Sequence, residues 1–181
     1  MADMPMMMVL RKIPAFGQLN ERDLMALGSA LRRRRLALGE QLFDQGDPGG
    51  TMHLVTEGEL SVRWQEGVSE QELEVARVGP GEFVGEMALL DLGPRSASVI
   101  ARRDAVLYEL AVEDLMLLEE AAPAAASAVL ASVTALVTDR IRHVNGQIEA
   151  LLSGRTPEEP PTPSATDSGV FGRLWSRLSK S

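Results

Sequence analysis

Between Leu36 and Leu110 short apolar segments alternate with turn signals: QLF, MHLV, LSVRW, LEVARV, ASVIA and AVLYEL are divided by GDPGG, EGE, GPGE and GPR. Segments of this length bounded by Gly and Pro read as strands. No interval among them is long enough for the crossover helix that a parallel pair requires. The chain is therefore predicted to be mainly β with flanking α, an antiparallel sandwich or barrel over residues 36–111.

The period changes on either side of that region. Residues 19–31 (LNERDLMALGSAL) set Leu19, Leu24, Leu27 and Leu31 at helical spacing behind Asn20, a predicted N-cap. Residues 113–120 read as a short helix ending before Pro123, and 124–152 as a long one. The long helix carries Leu130, Val133, Val137, Ile141, Val144, Ile148 and Leu151 at steps of three and four. This greasy face serves either as a homodimer seam or as a packing surface for the chain's own barrel. Residues 153–169 hold Pro, Ser, Thr and acid with little to bury, and read as a disordered Pro-rich linker. Residues 170–181 form a basic amphipathic tail, with Phe171, Leu174, Trp175 and Leu178 on one helical face and Arg173, Arg177 and Lys180 elsewhere. Its span 170–180 suits a partner groove or an anionic membrane surface, against the plain reading of a frayed end. The Met-rich start (Met4, Met6, Met7, Met8) reads as a flexible cover for an apolar groove.

Composition narrows the chemistry. With no cysteine, disulfides, thiol catalysis and Cys-ligated metals are excluded, and His53 and His143 alone cannot build a histidine metal site, so none is expected. A formal net charge of -8 argues against DNA or RNA as a partner. Arg32 to Arg35, the most basic run, read as solvated residues leading into the first strand. His53, between apolar neighbours, reads as a packed and hydrogen-bonded histidine, and Trp64 and Tyr108 as core or sheet surface. The N-terminal stretch Met6–Leu10 lacks a leading positive region, and no run approaches the roughly 18 consecutive apolar residues of a membrane span. A soluble, cytoplasmic protein is the expectation.

The most informative segment is Gly81–Ala101, GEFVGEMALLDLGPRSASVIA. It reads as a strand end, Gly85 and Glu86, one helical turn at Met87–Leu90, a Gly-Pro turn, then Arg95 and Ser96 leading into a strand. Open N–H groups at the start of a helical turn attract an anion. Gly85 lets the backbone come close, and Arg95 can close on the same anion through a two-pronged bond. Glu86 is available to hydroxyl groups, and its charge is expected to balance that of Arg95.

GEMALL followed by RSASV resembles the phosphate-binding cassette of cyclic nucleotide-binding domains, the family of catabolite-activator-type regulators and of protein kinase A regulatory subunits. The likeness runs over roughly residues 10–150, through LRKIPAFGQLNERDL, the turn at Gly39–Gly49, the turn at Glu57–Leu60 and the closing helices. It implies a domain over 1–152: a jelly-roll-like antiparallel β-barrel (double-stranded β-helix) with an N-terminal helix, C-terminal helices at 113–152, and the long one as a lid. It further implies that Arg95 pairs with a cyclic phosphate caged by the amides of Met87, Ala88, Ser96 and Ala97 and by the Ser96 hydroxyl. Glu86 would accept the ribose 2′-hydroxyl. The Thr–Ser base clamp of the catabolite-activator type is missing, since counting from Arg95 brings Arg140 and Ile141 to its place; Thr138, Arg140 and Ile141 are the candidate base caps. The ligand, cAMP in preference to cGMP, would be bound and released intact, so neither catalytic residues nor a cofactor are expected. Fewer than 30 residues follow the lid helix, too few for a helix-turn-helix domain. The expectation is a stand-alone sensor that relays occupancy through its C-terminal helix or tail to an effector protein. The alternatives are a nucleotide-independent scaffold with the same fold and, disfavoured by the histidine count, a cupin-type metal enzyme.

Overall fold

The computed structural model describes residues 4–65, 72–90 and 92–153. The tail at 170–181 and all but the first residue of the linker lie outside them. Three helices open the chain: α1 (Met4–Lys12), α2 (Pro14–Gly17) and α3 (Glu21–Ala30). The Asn20 side chain accepts from the Asp23 N–H at 2.9 Å and starts α3, satisfying one of the N–H groups that a helix start leaves open. Eight strands follow: β1 (Arg32–Leu36), β2 (Gln41–Phe43), β3 (Thr51–Glu57), β4 (Leu60–Gln65), β5 (Glu72–Val78), β6 (Phe83–Val84), β7 (Ser98–Ala101) and β8 (Ala105–Ala111). One helical turn, α4 (Met87–Leu90), lies between β6 and β7, and α5 (Val112–Ala121) and α6 (Pro123–Leu152) close the described chain.

The strands form two four-stranded antiparallel sheets, ordered β1-β8-β3-β6 and β2-β7-β4-β5, which face each other as a jelly roll. Inside it Leu36, Leu42, Val55, Leu60, Val78, Val84, Val99, Ala101 and Leu107 make one core. A second core lies on the other face of the first sheet, where Met52, Leu54, Phe83, Tyr108 and Leu110 meet Leu10, Phe16, Leu24, Leu27 and the closing helices. Phe16 and Phe83 touch edge to face, centroids 6.2 Å apart. With helices on one side and strands on the other, β3 is buried on both faces, which is why MHLV is apolar at every position but the histidine. The second sheet is covered on one face only, and its edge strand β5 alternates charge with aliphatics.

Three expectations need correction. The Met-rich start is no loose cover: α1 buries Met6 and Leu10 in the helical core while Met8 faces water. Proline is tolerated in its first turn because no intrahelical N–H is needed there. The barrel begins at Arg32, four residues earlier than predicted, and the arginines are β1 itself, an edge strand paired to β8. Charge on an edge discourages pairing with another chain. Finally, the apolar face of α6 is not uniform. Ala125, Ala126, Val129, Val133 and Leu136 pack against the domain, whereas Leu130, Ile141, Val144 and Ile148 are exposed, so packing on the chain's own barrel does not account for them. By length and composition α6 could cross a membrane, but one side of its first half packs into the core.

Candidate functional site

The geometry starts at Gly85. As the chain leaves β6, Gly85 takes a left-handed φ of 77°, and a Cβ there would lie 2.6 Å from Arg95 Nη1 and 3.0 Å from the Thr51 carbonyl oxygen. Only glycine fits that conformation in that space. Leu89 N–H returns to the Glu86 carbonyl at 3.0 Å, winding α4. The return to β7 is fixed from outside: Arg95 N–H donates to the Asp47 carbonyl at 2.8 Å and Gly46 N–H to the Arg95 carbonyl at 2.9 Å. The GDPGG turn thus clamps the backbone of Arg95 from both sides.

The two charges at the centre are nearly sealed from water, Glu86 being 1% and Arg95 7% exposed. Arg95 Nη1 donates to the Thr51 carbonyl at 2.7 Å and to the Gly85 carbonyl at 3.2 Å, and Nη2 donates to Thr51 Oγ1 at 2.7 Å. Its guanidinium lies 4.0 Å above the Phe43 ring, a cation–π contact. Five N–H groups minus these three leave one on Nε and one on Nη2. Both lie on the same long edge of the plane, the edge that grips a phosphate or carboxylate with two parallel bonds. Nε is buried without a partner. Burial pushes the Arg95 pKa down from its ordinary value, with Asp47, Glu109 and Glu86 acting the other way; an anion would relieve that penalty.

Glu86 departs from expectation. Its partner is not Arg95 but Arg140 of α6, whose Nη1 donates to Glu86 Oε1 and whose Nη2 donates to the Phe83 carbonyl at 3.3 Å. The end of Arg95 is already taken by Thr51, so the carboxylate is matched from across the domain. Glu86 Oε2 is buried and unpartnered. A buried acceptor left open costs about 1–3 kcal/mol, and Glu86 and Arg95 line one recess.

That recess is lined by Gly85, Glu86, Met87, Arg95, Ser96, Ala97 and Arg140, with Val62, Val84 and Val99 beneath. It is a small recess open to solvent, with about 40 Å³ of free space inside. Ser96 Oγ donates to Met87 Sδ at 3.6 Å across it. Of the other predicted site residues, Ala88 lies on α4. Thr138 donates to the Thr134 carbonyl at 2.8 Å and Ile141 points to water, so neither lines the recess. Thr51 and Phe43 went unforeseen; the signal available was that they flank the GDPGG turn. His53 stands behind Phe43, ring centroids 6.2 Å apart, with Nε2 3.1 Å from Glu109 Oε2. No cluster of three or more metal-ligating side chains occurs among the described residues.

A family model for the cyclic nucleotide-binding domain matches residues 33–137. A curated relative, the cyclic AMP receptor protein of Thermus thermophilus, is 36% identical over 123 residues, which is 68% of this chain and 55% of the relative. The chain thus spans little more than half the length of that relative. Among solved structures, a cyclic nucleotide-binding domain from Methylobacillus flagellatus KT superposes with a TM-score of 0.70 at 27% identity, over 85% of this chain and 84% of that one. The regulatory domain of Toxoplasma gondii PKA, co-crystallised with cAMP, gives 0.55 at 30% identity over 63% and 43%.

Proposed function

The chain belongs to the cyclic nucleotide-binding domain family, and from that premise we propose that it is a non-catalytic cytoplasmic sensor that holds cAMP, in preference to cGMP, in the Arg95–Glu86 recess. The observation that carries this reading is the open edge of Arg95, Nε and one Nη2 N–H, to which no carboxylate among the described residues bonds although Asp47, Glu109 and Glu86 lie near enough to act on its charge. A cyclic phosphate is a monoanion of matching geometry. The amides of Met87, Ala88, Ser96 and Ala97 complete its cage, and Glu86 Oε2 accepts the ribose 2′-hydroxyl. The Ser96 hydroxyl, which would meet a guanine amino group, is turned to Met87. This supports cAMP, as do relatives named for it.

Transmission runs through α6. Arg140 ties that helix to the carboxylate the ribose uses, so a bound nucleotide and the helix share one group. Only a difference in affinity for two packings of α6 can shift their populations. Leu130, Val137, Ile141, Val144 and Ile148 recur at the 3.5-residue period of a two-helix seam, and all but Val137 are exposed. They support a homodimer through α6, while the 170–180 segment is assigned to an effector protein's groove. Calorimetric titration tests the whole: cAMP is expected to bind more tightly than cGMP, and no heat with either at millimolar concentration overturns the proposal in favour of a nucleotide-independent scaffold.

A further inference from the structure

Val112, Leu115 and Leu118 turn one side of α5 into the core. The opposite side therefore carries Glu113, Met116, Leu117 and Glu120, whose steps of three and four make one helical stripe. Met116 is 59% and Leu117 64% exposed, an apolar pair with a carboxylate about one turn to either side. α5 holds the acids Glu113, Asp114, Glu119 and Glu120 and no base. Asp114 is engaged by Arg32. The other three are exposed and have no bond or ion pair among the described residues. Such a stripe is complementary to an apolar face bordered by bases.

We propose that the occupant of this stripe is the chain's own segment 170–181. It places Phe171, Leu174, Trp175 and Leu178 at helical spacing beside Arg173, Arg177 and Lys180, with no acid. Leu174 and Trp175 dock on Met116 and Leu117, where a thioether packs well against an indole, and the bases are drawn to Glu113, Glu119 and Glu120. The reach is sufficient. α6 begins two residues after α5 ends, and its 30 residues run about 45 Å away from that joint. The 17 residues at 153–169 can lead back over at most about 56 Å, at 3.3 Å per residue. A tether of this span holds the tail at about millimolar effective concentration, so a contact too small to join two separate molecules suffices. The exposed second half of α6 is nearer along the chain, but its charges, Asp139, Arg140, Arg142 and Glu149, cancel. Docking on α5 covers the face that an effector's groove would take, so the tail uses one or the other. The seat stands whether or not the recess takes a nucleotide.

The chain has two tryptophans, and Trp64→Phe in the full chain leaves Trp175 as the sole indole. Its emission is expected to be blue-shifted, shielded from acrylamide and unchanged on dilution. Met116→Gln with Leu117→Gln, both at exposed positions, should return it to the emission and quenching of a solvated indole while the urea midpoint stays put. Glu113→Gln, Glu119→Gln and Glu120→Gln together should release it in part, as should salt at about 1 M, where charges more than about 3 Å apart are screened. A Trp175 already solvated in the parent overturns the seat. So does shielding that survives both sets of substitutions on α5, or that is lost instead with Val144→Gln and Ile148→Gln, which moves the tail to α6. Shielding that fades on dilution also overturns it, and gives the stripe to a second copy.

Discussion

The two ends of the recess are built differently. Arg95 is held entirely by the jelly roll: Thr51 grips its guanidinium, Phe43 lies beneath it, and the Gly46–Asp47 turn clamps its backbone. Glu86 sits on the wall opposite but takes its counter-charge from Arg140, 54 residues later on a helix outside the barrel. One end is scaffold and the other is a joint. A ligand that spans both binds to a fixed point and, in the same act, competes for or reinforces a contact between two parts of the protein.

Substitutions at the two ends should therefore separate affinity from stability. The largest effect is expected from Arg95→Ala, which removes the anion-gripping edge and should weaken cAMP binding by about 2–5 kcal/mol, read by calorimetry. A loss of less than tenfold would break the assignment of that end to phosphate. Next comes acid. Burial pushes His53 down to about 4, Glu109 opposing and Arg95 and Arg34 adding to the fall. Its ordinary value is 6.5, so between these two values the unfolded chain binds the proton and the folded protein resists it. This contribution to stability is complete above pH 6.5 and is lost as the pH drops through the folded value, about 3 kcal/mol in all. Urea unfolding at pH 7, 5 and 4 checks it, with His53→Gln expected to flatten the slope; an unchanged slope in that variant would clear His53 of the effect. The smallest effect belongs to the joint. Arg140→Ala strands the Glu86 carboxylate, but Arg140 is itself 39% exposed, so screening limits the cost to about 1–3 kcal/mol. Faster amide exchange along α6, with a smaller loss of cAMP affinity than in Arg95→Ala, would sharpen the contrast, and equal losses of affinity would erase it.

Much of this architecture was legible in the residues. The segments QLF, MHLV, LSVRW, LEVARV, SVIA and AVLYEL are all strands, because each is short, apolar and stopped by Gly, Pro or charge. β1 was not legible as a strand, and β6 showed only as a strand end before Gly85. RRRRL buries only its leucine, and Phe83–Val84 is too short to show a period. On α6 two apolar stripes compete, and periodicity reveals that stripes exist without saying which one the barrel takes. The barrel takes Ala125, Ala126, Val129, Val133 and Leu136 from the first half, and Ile141, Val144 and Ile148 lie past the last buried position and are exposed. The site divides along the same line. Its contiguous part, Gly85 to Ala97, was readable because backbone geometry there is local. Thr51 and Phe43 depend on strand register, and the transfer of Glu86 from Arg95 to Arg140 depends on where a distant helix lands.

The anchored half of α6 ends near Leu136, and Arg140 is the last described contact with the recess. Beyond it the helix runs on to Leu152, about 18 Å at 1.5 Å per residue. Under the proposed relay that overhang would serve as a lever arm. With Arg140 near its fulcrum, a tilt of about 10° would carry the far end about 3 Å over that length, a small adjustment at a carboxylate turned into a displacement that a neighbouring molecule could feel.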